Sequence, residues 1–156
     1  MKRRRRENRT NYKARRILLE SGIPRIVVRR TNKYYILQAV ESNEAQDKVI
    51  ATVTSKELLK NGWDAKMSGS LKSISAGYLT GMLMAKKLKK GKYIVDLGMA
   101  RTFTGSRVFA VVKGLVDGGL DVPANEKVFP SEDRLNGEHL KPEVKAMVAK
   151  VKEALK

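Results

Sequence analysis

The chain has 156 residues, 42% of them hydrophobic, which is enough for one modest core with polar extensions rather than two domains. Its 33 Lys and Arg against 16 Asp and Glu give a net charge of +17, and this self-repulsion predicts an acidic partner. The sequence lacks an apolar run that could cross a bilayer, a signal peptide, and any cysteine for a disulfide or thiolate metal site, so we expect a cytoplasmic protein without membrane partners.

The first 16 residues carry nine basic side chains and one acid, whereas residues 121–156 are neutral. Residues 1–10 have no apolar side chain after Met1, which predicts an arm that stays disordered until an anion orders it. A helix is predicted over residues 11–20, ended by Gly22 and Pro24.

Arginine forks suit phosphate oxygens, and interleaved Asn and Tyr side chains add donors and a stacking ring. We therefore expect the arm to bind nucleic acid, although a nuclear-localisation segment, an anionic-membrane segment or a solvated tail would also be basic. The candidate residues of the arm are Arg3, Arg4, Arg5, Arg6, Arg9, Asn11, Tyr12, Lys13, Arg15 and Arg16.

Alternating side chains predict strands over residues 25–30 and 34–40, joined by a polar turn at 31–33. After a polar break at 43–47, a third strand holds Val49, Ile50 and Val53, and three sequential strands with short connections should be antiparallel. Basic side chains and two tyrosines surround the first turn. Because neighbouring residues of a strand face opposite sides, either Tyr34 or Tyr35 is expected in the core. The RNA-binding candidates here are Arg25, Arg29, Arg30, Asn32, Lys33 and Tyr34.

A brief helical turn capped by Ser55 precedes the longest predicted helix, roughly residues 70–88, which has one apolar stripe. Gly77 and Gly81 lie one turn apart and would let this helix approach a sheet closely. Five lysines at 86, 87, 89, 90 and 92 close the helix, where they either complement its dipole or contact RNA. Residues 93–97 are typical of a fourth, buried strand.

Residues 106–117 predict a helix that starts at Ser106 or Thr104 and stops at the two glycines 118 and 119. Residues 123–138 are typical of a loop, and Pro142 opens a terminal helix that docks either on its own core or on another subunit. The predicted order is α-β-β-β-α-β-α, an α/β fold with a mixed four-stranded sheet and packed helices. We divide it into an arm with a short helix (1–22), a core domain (23–122) and a tail (123–156).

Catalysis finds little support in the sequence. His139 is alone, Asp96 has no second carboxylate nearby, and no glycine-rich run matches a nucleotide-binding loop. We therefore expect no enzyme activity, no cofactor, no metal and no small-molecule substrate. The alternatives are a DNA-binding chromatin protein, and an RNA-processing enzyme in which Asp47, Asp64 and Asp96 would converge on a metal.

The stretch DLGMARTFTGSRVFAVVKGLVDGGLDVP (residues 96–123) resembles the large-subunit ribosomal protein family L-eighteen, archaeal branch, whose eukaryotic counterparts are called ribosomal protein L-five. Further matches are the arm around residues 12–15, PRIVVRRTNKYYILQ (24–38), AGYLTGMLMA (76–85) and FPSEDRLNGEH (129–139). The resemblance implies an α/β protein that binds 5S rRNA in the central protuberance of the large subunit. It also implies contacts to the large-subunit rRNA and to neighbouring ribosomal proteins.

By position, the family's RNA-binding arm and hairpin coincide with the two basic segments above, and a polar turn at residues 101–107 follows the fourth strand. There Thr102, Thr104 and Ser106 place hydroxyls at a helix start beside Arg101 and Arg107, an arrangement that suits an anion. The family often has a third threonine where this chain has Phe103, whose ring could stack on a base instead. The alternative is a capped helix start that only packs on its own domain.

Overall fold

Four strands form one mixed sheet in the order β3-β2-β1-β4, in a computed structural model that describes residues 2–44 and 46–155. The strands are β1 (Arg25–Arg30), β2 (Tyr35–Asn43), β3 (Gln46–Thr54) and β4 (Ile94–Asp96). The first three are antiparallel, and β4 runs parallel to β1 with Ile26 opposite Val95. The predicted mixed sheet with three antiparallel strands is confirmed.

The β2–β3 hairpin is tighter than the sequence suggested. The polar break predicted at residues 43–47 is wrong at both ends, since β2 continues to Asn43 and β3 resumes at Gln46. Ser42 and Asp47 face each other across the strands, and the Ser42 hydroxyl donates to the Asp47 carboxylate at 2.6 Å. Polar side chains that hydrogen-bond to each other across two paired strands stabilise the pairing, so the strands continue where a loop was predicted.

The fourth strand is shorter and less buried than predicted. Only Ile94–Asp96 is extended, and all three residues are half-buried. The reason is its place at the sheet edge, where β4 has β1 as its one neighbour. Its parallel pairing aims the chain after Asp96 towards the same end of the sheet as the end of β1.

The helices follow the predicted order, with several corrected boundaries. They are α1 (Arg3–Arg6), α2 (Tyr12–Glu20), α3 (Ile74–Lys87), α4 (Arg107–Asp117), α5 (Glu132–Asn136) and α6 (Pro142–Ala154), with 3-10 helices at Ser55–Asn61, Ala65–Ser70 and Glu126–Val128. The long helix starts later than residue 70, because the Ser73 side chain accepts from the Ala76 amide and caps it. The expected loop at 123–138 contains two short helices.

Helix α3 is central to the core. The sequence predicted that it would bury one apolar stripe, but it is buried on more than one side. Every residue from Ser75 to Ala85 is buried, because the helix has neighbours on several sides. A Cβ at Gly77 would lie 3.1 Å from the Tyr35 ring of the sheet, which agrees with the predicted close approach. A Cβ at Gly81 would instead lie 2.3 Å from the Val111 carbonyl oxygen, so this glycine serves the contact with α4.

Of the two adjacent tyrosines, Tyr35 is the core residue. Its side chain is fully buried, and its hydroxyl lies 3.1 Å from the carbonyl oxygens of Lys72 and Ser73. Burial raises the pKa of Tyr35 to about 12, so the hydroxyl keeps its proton as a donor. Tyr34 is half-buried, with the Lys56 ammonium 4.5 Å from its ring centre.

The C-terminal helix docks on its own core. Met147, Val148, Val151 and Leu155 are buried members of the main hydrophobic cluster, and α6 contacts α3, α5 and the first 3-10 helix. The sequence left open whether this helix docks on its own core or on another subunit, and in the structure it docks on its own core. Within residues 2–44 and 46–155, each helix is too short or too polar to span a bilayer.

Candidate nucleic-acid interface

Two neighbouring cavities join the arm, the end of β1 and the turn after β4 into one positively charged surface. The first is lined by Arg4, Arg9 and Arg15 together with Arg29, and the second by Arg29, Arg30, Arg101 and Arg107. Arg29 belongs to both. We call these seven arginines the basic surface.

Arg29 holds this surface together at its centre. Its guanidinium donates to the Asp96 carboxylate at 3.0 Å and to the carbonyl oxygens of Asp96 at 2.8 Å and Val28 at 2.9 Å. Gly98 has a φ of +62°, and a Cβ there would lie 2.8 Å from the Arg29 guanidinium carbon. Glycine at this position therefore lets the turn after β4 close over Arg29, which fixes the turn against β1.

The arm forms one exposed helical turn, which corrects the expectation of disorder for residues 2–10. The amides of Arg5 and Arg6 donate to the Lys2 carbonyl, and arginine itself favours helix. Arg4 donates to the Thr10 hydroxyl at 2.9 Å, while Arg3 and Arg9 both lie within 4 Å of Glu7. Arg5 and Arg6 have no acidic partner within the described part of the chain. Met1 lies outside the described residues.

Helix α2 attaches the arm to the sheet. The Asn11 side chain accepts from the amides of Lys13 and Ala14 at 3.1 and 3.2 Å, so this RNA-binding candidate also caps the helix. Lys2 lies 4.7 Å from the centre of the Tyr12 ring. Arg15 pairs with Asp47 of β3 at 3.2 Å, and Arg16 pairs with Glu20 at 2.6 Å.

Arg25 is a candidate that the structure removes from the surface. It is only 6% exposed, and its guanidinium donates to the Ser42 hydroxyl and, at 2.6 Å, to the Asp47 carboxylate. Burial raises the pKa of Asp47, but hydrogen bonds from Ser42 and Arg25 and the charges of Arg25 and Arg15 outweigh it and hold this pKa below its ordinary value. Arg25 therefore ties β1 to the β2–β3 hairpin, and we leave it out of the interface.

The turn between β1 and β2 is closed by hydrogen bonds and presents polar groups. The Thr31 hydroxyl donates to the Tyr34 carbonyl at 2.7 Å and accepts from the Tyr34 amide at 3.0 Å. Asn32 and Lys33 are exposed at its tip. This turn continues the basic surface beyond Arg30.

The second cavity lies at the start of α4 and has a volume of about 680 Å³. Its wall includes four of the arginines and no acid, with Leu97, Met99 and Phe103 as apolar members. Ser106 lines it at the N-cap position of α4, but the hydroxyl makes no capping hydrogen bond. The predicted Thr102 and Thr104 are exposed on the same turn and do not line the cavity.

The five lysines around residue 89 lie elsewhere. Lys87 pairs with Glu57 at 2.6 Å, and Lys86 lies 3.4 Å from the Ala154 carbonyl oxygen. Lys89, Lys90 and Lys92 are exposed and precede β4, whereas the basic surface lies at the end of that strand. The lysine cluster is thus separate from the basic surface.

The carboxylates that an RNA-processing enzyme would need do not converge. Asp47 binds Arg25 and Arg15, Asp64 caps a 3-10 helix through the Lys66 amide, and Asp96 binds Arg29. Over residues 2–44 and 46–155, no three potential metal ligands of the His, Cys, Asp or Glu type lie together. The charged groups of this chain serve pairing and an electropositive surface.

Sequence reasoning missed two features of this surface. It did not single out Met99, which is half exposed in the cavity wall, because a methionine in a turn carries no binding pattern. It also did not connect the arm with the turn after β4. The sequence did offer one signal for the apolar part of the cavity, since Phe103 stands where the family often has a threonine.

Comparison with known proteins agrees with the geometry. The family model described as "Ribosomal large subunit proteins 60S L5, and 50S L18" matches residues 1–93 and 87–125. The large ribosomal subunit protein uL18 of Methanoregula boonei is 47% identical over 141 residues, which cover 88% of this chain and 79% of the relative. The uL18 proteins of Caldivirga maquilingensis and Korarchaeum cryptofilum are 47% and 46% identical, with 88% of this chain and 67% and 70% of the relatives covered.

Proposed function

The chain belongs to the family of ribosomal large subunit proteins 60S L5 and 50S L18, and from this premise we propose that it binds 5S rRNA and attaches it to the central protuberance. Membership makes the protein a structural constituent of the large ribosomal subunit on the cytoplasmic ribosome, in a family of ribosomal proteins and not of enzymes. Its place there implies rRNA and ribosomal proteins as partners. We propose the large-subunit rRNA and the neighbouring ribosomal proteins as the further contacts.

The observation that carries the proposal is the basic surface. Arg4, Arg9, Arg15 and Arg29 share one cavity, and Arg29 shares the next with Arg30, Arg101 and Arg107. Of these, Arg30, Arg101 and Arg107 have no acidic side chain within ion-pair distance in the described part of the chain. Arginines without internal partners are available to neutralise phosphates and to release their counterions.

We propose that the RNA contacts come from the arm, the first hairpin turn and the turn before α4. The proposed residues are Arg3, Arg4, Arg5, Arg6, Arg9, Asn11, Tyr12, Lys13, Arg15, Arg16, Arg29, Arg30, Asn32, Lys33, Tyr34, Arg101, Thr102, Thr104 and Arg107. The exposed charges of the arm would contact the RNA backbone, and the sheet would fix the orientation of the protein on the RNA. In this division, residues 1–22 act as the arm, 23–122 as the core domain and 123–156 as a tail that packs on the core.

Binding of the purified full chain to 5S rRNA at increasing salt tests the proposal, with a duplex DNA and other rRNA fragments as competitors. We expect preference for 5S rRNA and a loss of affinity of about a thousandfold or more between roughly 50 and 200 mM salt, if six to ten phosphates are contacted. Deleting residues 2–9 should flatten the salt dependence and leave the domain folded. Equal competition by duplex DNA would favour the chromatin alternative instead.

A matched pair of triple variants separates the basic surface from net charge. Replacement of Arg30, Arg101 and Arg107 by Gln should lower the slope of log affinity against log salt by about 2 to 3. Replacement of Lys89, Lys90 and Lys92 by Gln removes the same charge from the other end of β4 and should change the slope less. Identical slopes for the two variants would mean that the RNA senses total charge, which contradicts a defined interface.

A further inference from the structure

We propose that the cavity at the start of α4 holds one unpaired nucleotide of the bound RNA, with its phosphate at the helix start and its base against Phe103 and Met99. This inference rests on the proposed function, since it needs an RNA partner. The charged residues by themselves predict only contacts to phosphates. The inference adds a site for a single nucleotide whose base is turned out of the RNA stack.

The phosphate end of the site is defined by Ser106. This residue is only 3% exposed, and among residues 2–44 and 46–155 its hydroxyl is the single buried side-chain polar atom without a hydrogen-bond partner. A buried hydroxyl without a partner is destabilising, so its presence here needs a reason. A ligand oxygen in the cavity would give that hydroxyl an acceptor.

The start of α4 adds attraction for an anion. Helix α4 has 11 residues, and its N-cap Ser106 makes no side-chain hydrogen bond to the first amides, which leaves these donors and the positive end of the helix dipole for a ligand. Arg101 and Arg107 line the same cavity, and neither has an acidic partner in the described residues. A capped helix start that only packs on its own domain would have used the Ser106 hydroxyl.

The apolar part of the cavity lining is suited to a base. Phe103 is 64% exposed and Met99 is 51% exposed, and both line this cavity, so their apolar surfaces are available to a ligand in it. Aromatic rings of this kind stack on unpaired bases. The cavity volume of about 680 Å³ lies within the roughly 300–1,000 Å³ typical of small-ligand sites.

The polar and apolar parts of the lining together favour an unpaired nucleotide over a duplex backbone. A duplex presents its phosphates outward and keeps its bases stacked inside, so it would use the arginines and leave Phe103 and Met99 without a partner. An unpaired nucleotide can place its phosphate at the polar part and its base at the apolar part at the same time. Arg29 holds the start of the turn at Asp96, and the Ser106 amide donates to the Phe103 carbonyl at 3.0 Å at its end, so little ordering of the backbone is needed on binding.

The test uses the full chain with a short single-stranded RNA that carries 2-aminopurine at its centre, and with the same RNA made abasic at that position. Stacking on Phe103 should quench the fluorescence of the probe. Phe103→Ala should abolish the quench and weaken binding about 5- to 150-fold, the range for loss of one stacked base. The affinity of wild type for the abasic RNA should be lower by the same factor. Combining Phe103→Ala with the abasic RNA should weaken binding no further. Ile50→Ala, which trims a 50% exposed side chain on β3, is the control and should change nothing.

Ser106→Ala distinguishes a binding hydroxyl from a structural one. We expect an unchanged or higher Tm, because the variant removes a buried group without a partner, together with several-fold weaker RNA binding. A lower Tm with unchanged binding would assign Ser106 to folding alone and overturn the phosphate end of the site. Equal binding of the single strand and a blunt RNA duplex, with Phe103→Ala affecting neither, would leave a phosphate site only and overturn the nucleotide.

The same variants separate this inference from the proposed function. If wild type binds 5S rRNA selectively and neither Phe103→Ala nor Ser106→Ala alters that affinity, the nucleotide site is wrong and the function stands. If the single-strand results hold and 5S rRNA is bound no better than other RNA, the function is wrong and the nucleotide site stands.

Discussion

The contact between α3 and α4 depends on glycines of both helices, Gly81 on α3 and Gly114 on α4, and Gly114→Ala should disrupt it. A Cβ at Gly114 would lie 2.1 Å from the Tyr78 carbonyl oxygen, about 1.3 Å short of the 3.4 Å at which ordinary van der Waals contact begins. The obstructing atom belongs to the backbone of α3, so rotation of a side chain cannot relieve the clash. The two helices would have to move apart, and α3 is buried from Ser75 to Ala85.

The magnitude follows from two opposing terms. Overpacking a tight core costs about 1–3 kcal/mol and occasionally more, and a backbone clash belongs at the upper end. The alanine returns about 1 kcal/mol of helix propensity. We therefore expect Gly114→Ala to lower the free energy of unfolding by about 2 kcal/mol, which for a chain of this length lowers the Tm by about 4–8 °C.

Thermal and urea unfolding followed by circular dichroism would measure this change. Gly69→Ala is the control, because a Cβ there meets nothing within 4 Å, and its Tm should change little. A Tm for Gly114→Ala equal to or above that of wild type would refute the reasoning, since the helices could then separate without cost.

Two further predictions concern the ties that hold the arm and the tail to the core. Asp47→Asn should lower stability at neutral pH by about 2–3 kcal/mol, somewhat less than for a fully buried pair because the Asp47 side chain is 32% exposed. Since the folded state lowers the pKa of Asp47, wild type should lose this contribution as the pH falls below 3.8 and through that lowered pKa, and the difference between the two proteins in acid unfolding should vanish there. Val151→Ala should cost about 2 kcal/mol, because Val151 is fully buried between α6 and the core, and half-buried Val144→Ala should cost less. An unchanged urea midpoint for Val151→Ala would mean that α6 docks elsewhere in solution.

Local patterns predicted most of the fold because they depend on neighbours in sequence. Helix α2 begins after an asparagine cap, α4 begins after Ser106, and α6 begins at Pro142, all as the sequence indicated. The antiparallel strands followed from alternation and short connections. The errors fell where partners across space decide, as in the hairpin extended by Ser42 and Asp47 and in the edge position of β4.

The candidate site was predictable in composition and less so in geometry. The run of arginines and the turn before α4 could be found from residue types and from the resemblance. The cavity could not, because it needs the end of β1, the turn after β4 and the start of α4 to meet. Ser106 illustrates the limit: the sequence predicts a helix cap, and only the structure reveals that its buried hydroxyl has no partner in the described residues.

Arg25 and Arg29 bring these points together, because they are four residues apart on one strand and side chains with that spacing share a face. The sequence treats them alike, but the Arg25 side chain is 7% exposed and the Arg29 side chain 44%. Arg25 lies beside Ser42 and Asp47 of the hairpin, residues 17 and 22 positions further along the chain, and Arg15 of α2 closes over the same carboxylate. Arg29 instead meets Asp96 at the sheet edge, where β4 ends and solvent begins. One arginine therefore anchors the fold and the other organises the surface, and the pairing of strands rather than residue type assigns each role.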